Sequence, residues 1–252
     1  PGMVRVAEGT LTLAPNLGWT DVAVADEIAA RLDGRHLPIL VDNEANLAAL
    51  GELWLGIGGE VGDYFHVSGE IGVGAGVIVD GALFRGSRGF AGEIGHVVVD
   101  PGGEPCSCGG RGCLERVAGQ EAILRAAGLP LSSGTSLGYG ESAVPALVEL
   151  LERGDAQALR AVADAGRAIG SALADVVNVL DADTIVLGGV YATLAPWLAE
   201  ALERNLAEQV VASSWRPVEV RPSQLGPDAA VRGAAAWILQ RVLAAPGVMV
   251  AP

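Results

Sequence analysis

Apolar and polar positions along this chain alternate between extended and helical periods almost from end to end. Leu37 to Val41 is a short apolar run and reads as a buried strand. Asn43 to Gly56 carries Leu47, Leu50 and Leu55 on one side with small residues between, and reads as a helix. Asp63 to Ser68 and Val73 to Val79 alternate as strands, and Asp80-Gly81 is a hairpin turn before Ala82-Leu83-Phe84. His96 to Asp100 reads as another strand, Gly102 to Cys113 as a glycine-rich loop, and Leu114 to Ala127 as helical. Residues 128 to 143 are rich in Gly, Ser and Pro and read as a connection. Asp155 to Leu180 has a long helical period in which Gly166 and Gly170, four apart, suit close helix packing. Thr184 to Leu187 is a strand running into Gly188-Gly189. A helix over Leu194 to Val211, a strand over Val218 to Arg221 and a final helix over Asp228 to Leu243 follow. Strands followed by helices predict an α/β protein with a mixed sheet. No strand is expected at the front, where Pro1-Gly2-Met3-Val4 has the look of a chain entered partway.

Composition narrows this picture. A chain of 252 residues is long enough for one large domain or two lobes, and its 50% hydrophobic content excludes a disordered segment. Aromatics make up only 4%, so Ala, Val, Leu and Ile must build the core. The formal charge is −14 and every basic residue is Arg. Such a surface repels nucleic-acid phosphates, so this segment is a poor DNA binder on its own. The lack of Lys also removes a common partner of nucleotide phosphates. No apolar run approaches about 18 residues and no secretion signal is visible, so a cytoplasmic location without a membrane span is expected.

The three Cys residues fall together, and their spacing is the sharpest chemical signal. His96 is followed after nine residues by Cys106, after one more by Cys108 and after four more by Cys113. Three thiolates and one imidazole close a tetrahedral shell with no open position, the pattern of a structural zinc site. Gly109, Gly110 and Gly112 let the loop fold back so that the sulfurs converge. A loop this polar has little apolar surface of its own, so the metal would supply its folding energy.

Around these residues lies a family resemblance. Gly92-Glu93-Ile94-Gly95-His96 and Cys106-x-Cys108-Gly109-x-x-Gly112-Cys113-Leu114-Glu115 resemble the signature of the ROK family of repressors, uncharacterised proteins and sugar kinases. Ala14 to Trp19, Val41 to Asn46, Ser68 to Gly76 and Ile185 to Gly189 extend the likeness over nearly the whole chain. The resemblance implies an actin-like ATPase (ribonuclease H-like), two-lobed α/β fold with sugar bound in the cleft. It implies an incomplete first lobe, with residues 1–42 a remnant of it. Residues 43–252 would be the C-terminal lobe, with the zinc loop at 96–113 and the last helix packing back toward the first lobe. The family's opening Asp-x-Gly-x-Thr phosphate loop has no match here.

The resemblance also assigns roles. Asn16 and Asn43 match positions that hydrogen-bond sugar hydroxyls, and Glu93 and Glu115 match carboxylates that accept from hydroxyls. His96 matches a residue that both ligates zinc and faces the sugar. Polyols need donors and acceptors together, which Asn, Glu and His supply. Zinc would then brace the flanking Glu residues in a supporting role.

Two departures separate sensor from kinase. The family's kinases place an Asp after the Asn matched by Asn43, where this chain has Glu44. The extra methylene moves the carboxylate by about an ångström, a misplacement that can cost roughly 10²-fold in rate. Where kinases carry a Gly-Thr-Gly type loop, Ser68-Gly69-Glu70 brings a carboxylate toward the nucleotide phosphates. Two like charges about 4 Å apart cost about 4 kcal/mol at an effective dielectric near 20. Both departures resemble the xylose-repressor branch. The expectation is the sugar-sensing effector domain of a transcriptional regulator, binding a monosaccharide without phosphorylating it. DNA would be reached only through a preceding winged helix-turn-helix, and the assembly would be a homodimer or homotetramer. The alternative is an ATP-dependent sugar kinase with Glu44 as base.

Overall fold

The computed structural model describes residues 2–32, 37–70, 72–130 and 143–245. Its first element is a three-stranded antiparallel sheet of β1 (Met3–Arg5), β2 (Thr10–Ala14) and β3 (Trp19–Val22), in that order, followed by α1 (Val24–Ala29). This corrects the expectation of a front without strands. The strands are three to five residues long and mostly half-buried, with only Val4, Leu11 and Ala14 inside, so too few positions repeat for a period to register. Leu37 to Val41, expected as a buried strand, belongs to neither sheet, and Leu37 is 59% exposed.

The second sheet has five strands: β4 (Tyr64–Gly69), β5 (Val73–Val79), β6 (Ala82–Leu83), β7 (Thr184–Gly189) and β8 (Glu219–Pro222). Their spatial order is β6-β5-β4-β7-β8. β4 pairs antiparallel with β5 and parallel with β7, so the sheet is mixed as expected. The Asp80-Gly81 turn joins β5 to β6 with positive φ at both residues, as a two-residue hairpin with this twist requires. Alternation along β4 divides the core. Phe65 and Val67 face the main cluster with Ala75, Val77, Ile185 and Leu187, whereas Tyr64 faces a smaller one with Ile78, Val186 and Ala49.

On the small-cluster side lie α2 (Glu44–Leu55) and α8 (Ala229–Ala244), packed on each other. Their backbones touch at two glycines. A Cβ on Gly51 would stand 3.1 Å from the Gly233 nitrogen, and one on Gly233 would stand 2.8 Å from the Gly51 nitrogen. On the other side α6 (Ala156–Leu180) and α7 (Val190–Gln209) pack along Gly166 and Gly170, where a Cβ would press on the carbonyls of Leu198 and Leu202. Asp155 caps α6 by accepting from the Gln157 and Ala158 nitrogens. The remaining helices of this layer are α3 (Glu115–Ala118), α4 (Gln120–Ala126) and α5 (Val144–Glu152). The single helix expected over Leu114 to Ala127 is broken at Gly119, whose extended backbone ends α3 and starts α4.

The strand expected over His96 to Asp100 is also corrected. Ile94–His96 is a short 3-10 turn, and the segment that follows carries isolated bridges, Val98 with Cys113 and Pro105 with Arg111, in place of a strand. Most of the connection expected at residues 128 to 143 lies outside the described residues. Among the described residues no helix is long and apolar enough to cross a membrane.

Candidate functional site

The four metal-ligand candidates meet. One donor atom from each of His96, Cys106, Cys108 and Cys113 lies within 4.8 Å of the other three. The Cys108 and Cys113 sulfurs are 3.7 Å apart, and Cys106 Sγ is 3.7 Å from His96 Nδ1. A disulfide needs about 2.05 Å. A tetrahedral ion about 2.3 Å from each sulfur would instead set them about 3.8 Å apart, which the spacing matches. The donor set wants a cation for a second reason. Burial pushes the Cys106 thiol up, yet hydrogen bonds from Cys108, His96 and Cys113 outweigh it and bring it down to about 7. Cys113 is pushed up to about 12, by burial and by its bonded thiol neighbours. Three adjacent thiolates repel one another unless a positive ion sits between them.

His96 faces two ways. While Nδ1 looks at Cys106, Nε2 stands 4.0 Å from Glu93 Oε2. A carboxylate behind a ligating imidazole is the usual means of fixing ring orientation. Burial pushes the Glu93 carboxyl up, His96 pulls it down, and the nearby Glu115 pushes it up again.

Glu115 opens α3, directly after Cys113 and Leu114, and its Oε2 accepts from the Val73 nitrogen at 3.3 Å. The space above Gly72 brings Glu115 and Asn16 together. A Cβ there would stand 3.2 Å from Asn16 Nδ2 and closer still to Glu115 Oε2. Asn16 sits on the turn Pro15–Leu17 after β2, and its Oδ1 accepts from the Ser107 hydroxyl at 3.4 Å. Asn16, Glu93, His96 and Glu115 therefore converge around β5 and the metal loop.

Asn43 and Glu44 occupy the start of α2. Asn43 is its N-cap, accepting from the Ala45 nitrogen at 2.8 Å, and its Nδ2 donates to the Gly2 carbonyl at 2.8 Å. The side chain thus has a structural task, with one amide hydrogen and one lone pair left for a ligand. Glu44 is exposed and acts electrostatically on Glu70, whose carboxyl is pushed up by burial and then by Glu44.

Glu70 lies against the start of α7. A Cβ on Gly189 would stand 2.6 Å from Glu70 Oε1 and 2.8 Å from Ser68 Oγ. Gly189 is the N-cap of α7, where main-chain N–H groups and the helix dipole favour an anion. A carboxylate of the chain itself already lies against it. Beneath runs Tyr191, whose ring underlies Gly69 and whose hydroxyl donates to the Ala118 carbonyl at 2.7 Å. Burial first, and then Glu115 and Glu70, drive its phenol upward.

Sequence reasoning gave no role to Gly72, Ser107 or Tyr191. Gly72 sits in a glycine-rich run that hinted at close approach, but the contacts of the others arise only across folded distance.

Comparisons with known proteins come to the same fold. A model of the ROK family matches residues 1–241. A putative xylose repressor of Caldicellulosiruptor sp. is 34% identical over 252 residues, covering 98% of this chain and 62% of that protein. The chain therefore spans less than two thirds of that repressor. A glucokinase of Halalkalibacterium halodurans is 33% identical over 249 residues, covering 96% of this chain and 74% of that enzyme. Among solved structures, a ROK family glucokinase from Streptomyces griseus in complex with glucose and AMPPNP has a TM-score of 0.81 at 30% identity. That match covers 95% of this chain and 79% of the glucokinase. The expected actin-like α/β fold is thus the fold of this chain.

Proposed function

The chain belongs to the ROK family, and from that premise we propose that it is the sugar-sensing effector domain of a transcriptional regulator, binding a monosaccharide without phosphorylating it. Four groups suited to sugar hydroxyls support the binding half: Asn16, Glu93, His96 and Glu115 stand around one patch. Asn43 and Glu44, at the start of α2, are the further sugar contacts of this reading. Polar groups so placed discriminate strongly, because an analogue that leaves one unpaired loses the full desolvation penalty.

The observation that carries the sensor half is Glu70 Oε1 over Gly189. A nucleotide phosphate approaching the α7 N-terminus would meet this carboxylate, with Glu44 adding negative charge. In this reading His96, Cys106, Cys108 and Cys113 hold a structural zinc ion, with no open position for chemistry. DNA would be contacted by another part of the full protein, and sugar binding would shift the lobes of a dimeric cytoplasmic regulator.

The second reading is an ATP-dependent sugar kinase with Glu44 as base, favoured by the near-equal identity to a glucokinase. The experiment pairs two measurements. Calorimetry against pentoses, hexoses and N-acetylhexosamines should give a binding isotherm for one of them, and flat traces throughout would sink the sugar site. A coupled assay of the full-length protein should show no hexose-dependent ADP release, and ordinary turnover would overturn the sensor. Activity gained by Glu44→Asp would show that only the base had drifted.

A further inference from the structure

Asp42, immediately before Asn43 and Glu44, has a side chain only 1% exposed. A carboxylate in that position needs partners, because an unpaired buried charge is costly. Its Oδ1 accepts from the Asn43 nitrogen at 2.8 Å, from Asn46 Nδ2 at 3.2 Å and from Arg85 Nη1 at 3.0 Å. Its Oδ2 accepts from Arg85 Nη2, so the guanidinium grips both oxygens. Two parallel bonds of this kind fix angle as well as distance.

Arg85 has two further attachments. Its carbonyl accepts from the Ala91 nitrogen at 3.1 Å, closing a loop that leads directly into Gly92 and Glu93. Gly92 is in turn held to β5, its carbonyl accepting from the Ala75 nitrogen at 2.9 Å. The guanidinium also faces the ring of Trp237 on α8, 6.0 Å from the centroid. The start of α2 and α8 therefore meet at the Arg85 side chain, and the segment bearing Glu93 joins the same residue through its main-chain carbonyl.

We propose that Arg85 is a positioning residue, setting Asn43 and Glu44 through Asp42 and tying the sugar site to α8. The proposal rests on the sugar-site reading above. Arg85 touches no ligand in it. A Lys in its place would keep the charge but lose the planar fork and its stacking face.

The test combines hydrogen exchange with calorimetry, using D-xylose and D-glucose as probes. Arg85→Lys should fold, exchange about 10-fold faster at residues 44–47, and bind the sugar about 10-fold more weakly, in line with losses seen when supporting partners of a site are changed. Exchange in α6 and α7 should not move. Trp237→Leu, outside the site, should weaken sugar binding about three-fold. Unchanged exchange at residues 44–47, or a rise spread equally into α6 and α7, would overturn the proposal. If Arg85 variants fail to fold, Trp237→Leu decides alone, and wild-type affinity with wild-type exchange at α2 rejects it. Wild-type protein that binds neither probe counts against the sugar site, while the exchange data still judge the Arg85 clamp.

Discussion

The Ser107 hydroxyl donates to Asn16 Oδ1 at 3.4 Å, joining two residues 91 positions apart. Ser107 lies between two metal-ligand candidates, and Asn16 lies on the front sheet's last turn. The metal loop is thereby in touch with a proposed sugar contact at its tip as well as at His96. Treatment with a strong chelator to strip the proposed ion, or changing Cys108→Ala, should therefore lower sugar affinity by 10-fold or more, as loss of supporting structure does elsewhere. Metal content and calorimetry on the same samples check this. A metal-free protein with undiminished affinity refutes the coupling.

Gly72 offers the cleanest steric probe. A single methyl group there collides with Glu115 Oε2 and crowds Asn16 Nδ2. Because both are ends of side chains, the fold can absorb the change, but the patch cannot keep its shape. Gly72→Ala should unfold within about 1 kcal/mol of the parent, as a tolerated surface change does, while losing most sugar binding. Retained affinity would show that Gly72 is not at the site.

The Glu70 carboxyl titrates above the ordinary range through burial and Glu44. A carboxyl raised in the folded state stabilises the fold when protonated, below its unfolded value of about 4.3. That contribution is lost as pH rises through the raised folded value. Glu70→Gln should consequently raise the melting temperature at pH 7 and give no gain at pH 4. Equal gains at both pH values would mean that charge is not the cause.

His66 of β4 is fully buried, and neither ring nitrogen has a partner among the described residues. Its ring lies against Gly188, with Nε2 2.5 Å from where a Cβ would stand. Burial lowers its pKa to about 4, against a weaker upward pull from Glu52. A histidine lowered in the fold contributes stability above its unfolded value of about 6.5, and that stability is lost as pH falls toward about 4. The loss is on the order of 3 kcal/mol. His66→Phe keeps a ring and gives up no hydrogen bond, so denaturant melts should show a flatter acid limb. An acid limb identical to the parent's would exclude His66 as its source.

Long periods were legible in the sequence and short contacts were not. α6 runs for 25 residues and β5 for seven, enough repeats to reveal a helical or alternating pattern. The three front strands and the stretch after His96 are held by brief pairings or isolated bridges, which leave no period to detect. The same divide runs through the site. Cys106, Cys108 and Cys113 lie within eight residues, so spacing alone predicted their meeting. Arg85 reaches Asp42 across 43 positions and Tyr191 reaches Ala118 across 73, partnerships that chain folding creates and local composition does not record. Asn43 shows why residue type alone misleads, since the helix cap it forms and the proposed sugar contact call for the same side chain.

The seam between α2 and α8 has a mechanical consequence. Where Gly51 meets Gly233 there is no layer of side chains to compress or reshuffle, so backbone rests on backbone. A side chain at either glycine would force the two helices apart, because the nearest atoms belong to the main chain and cannot rotate away. Since α2 begins directly after its cap Asn43, the spacing of that seam bears on where Asn43 and Glu44 stand.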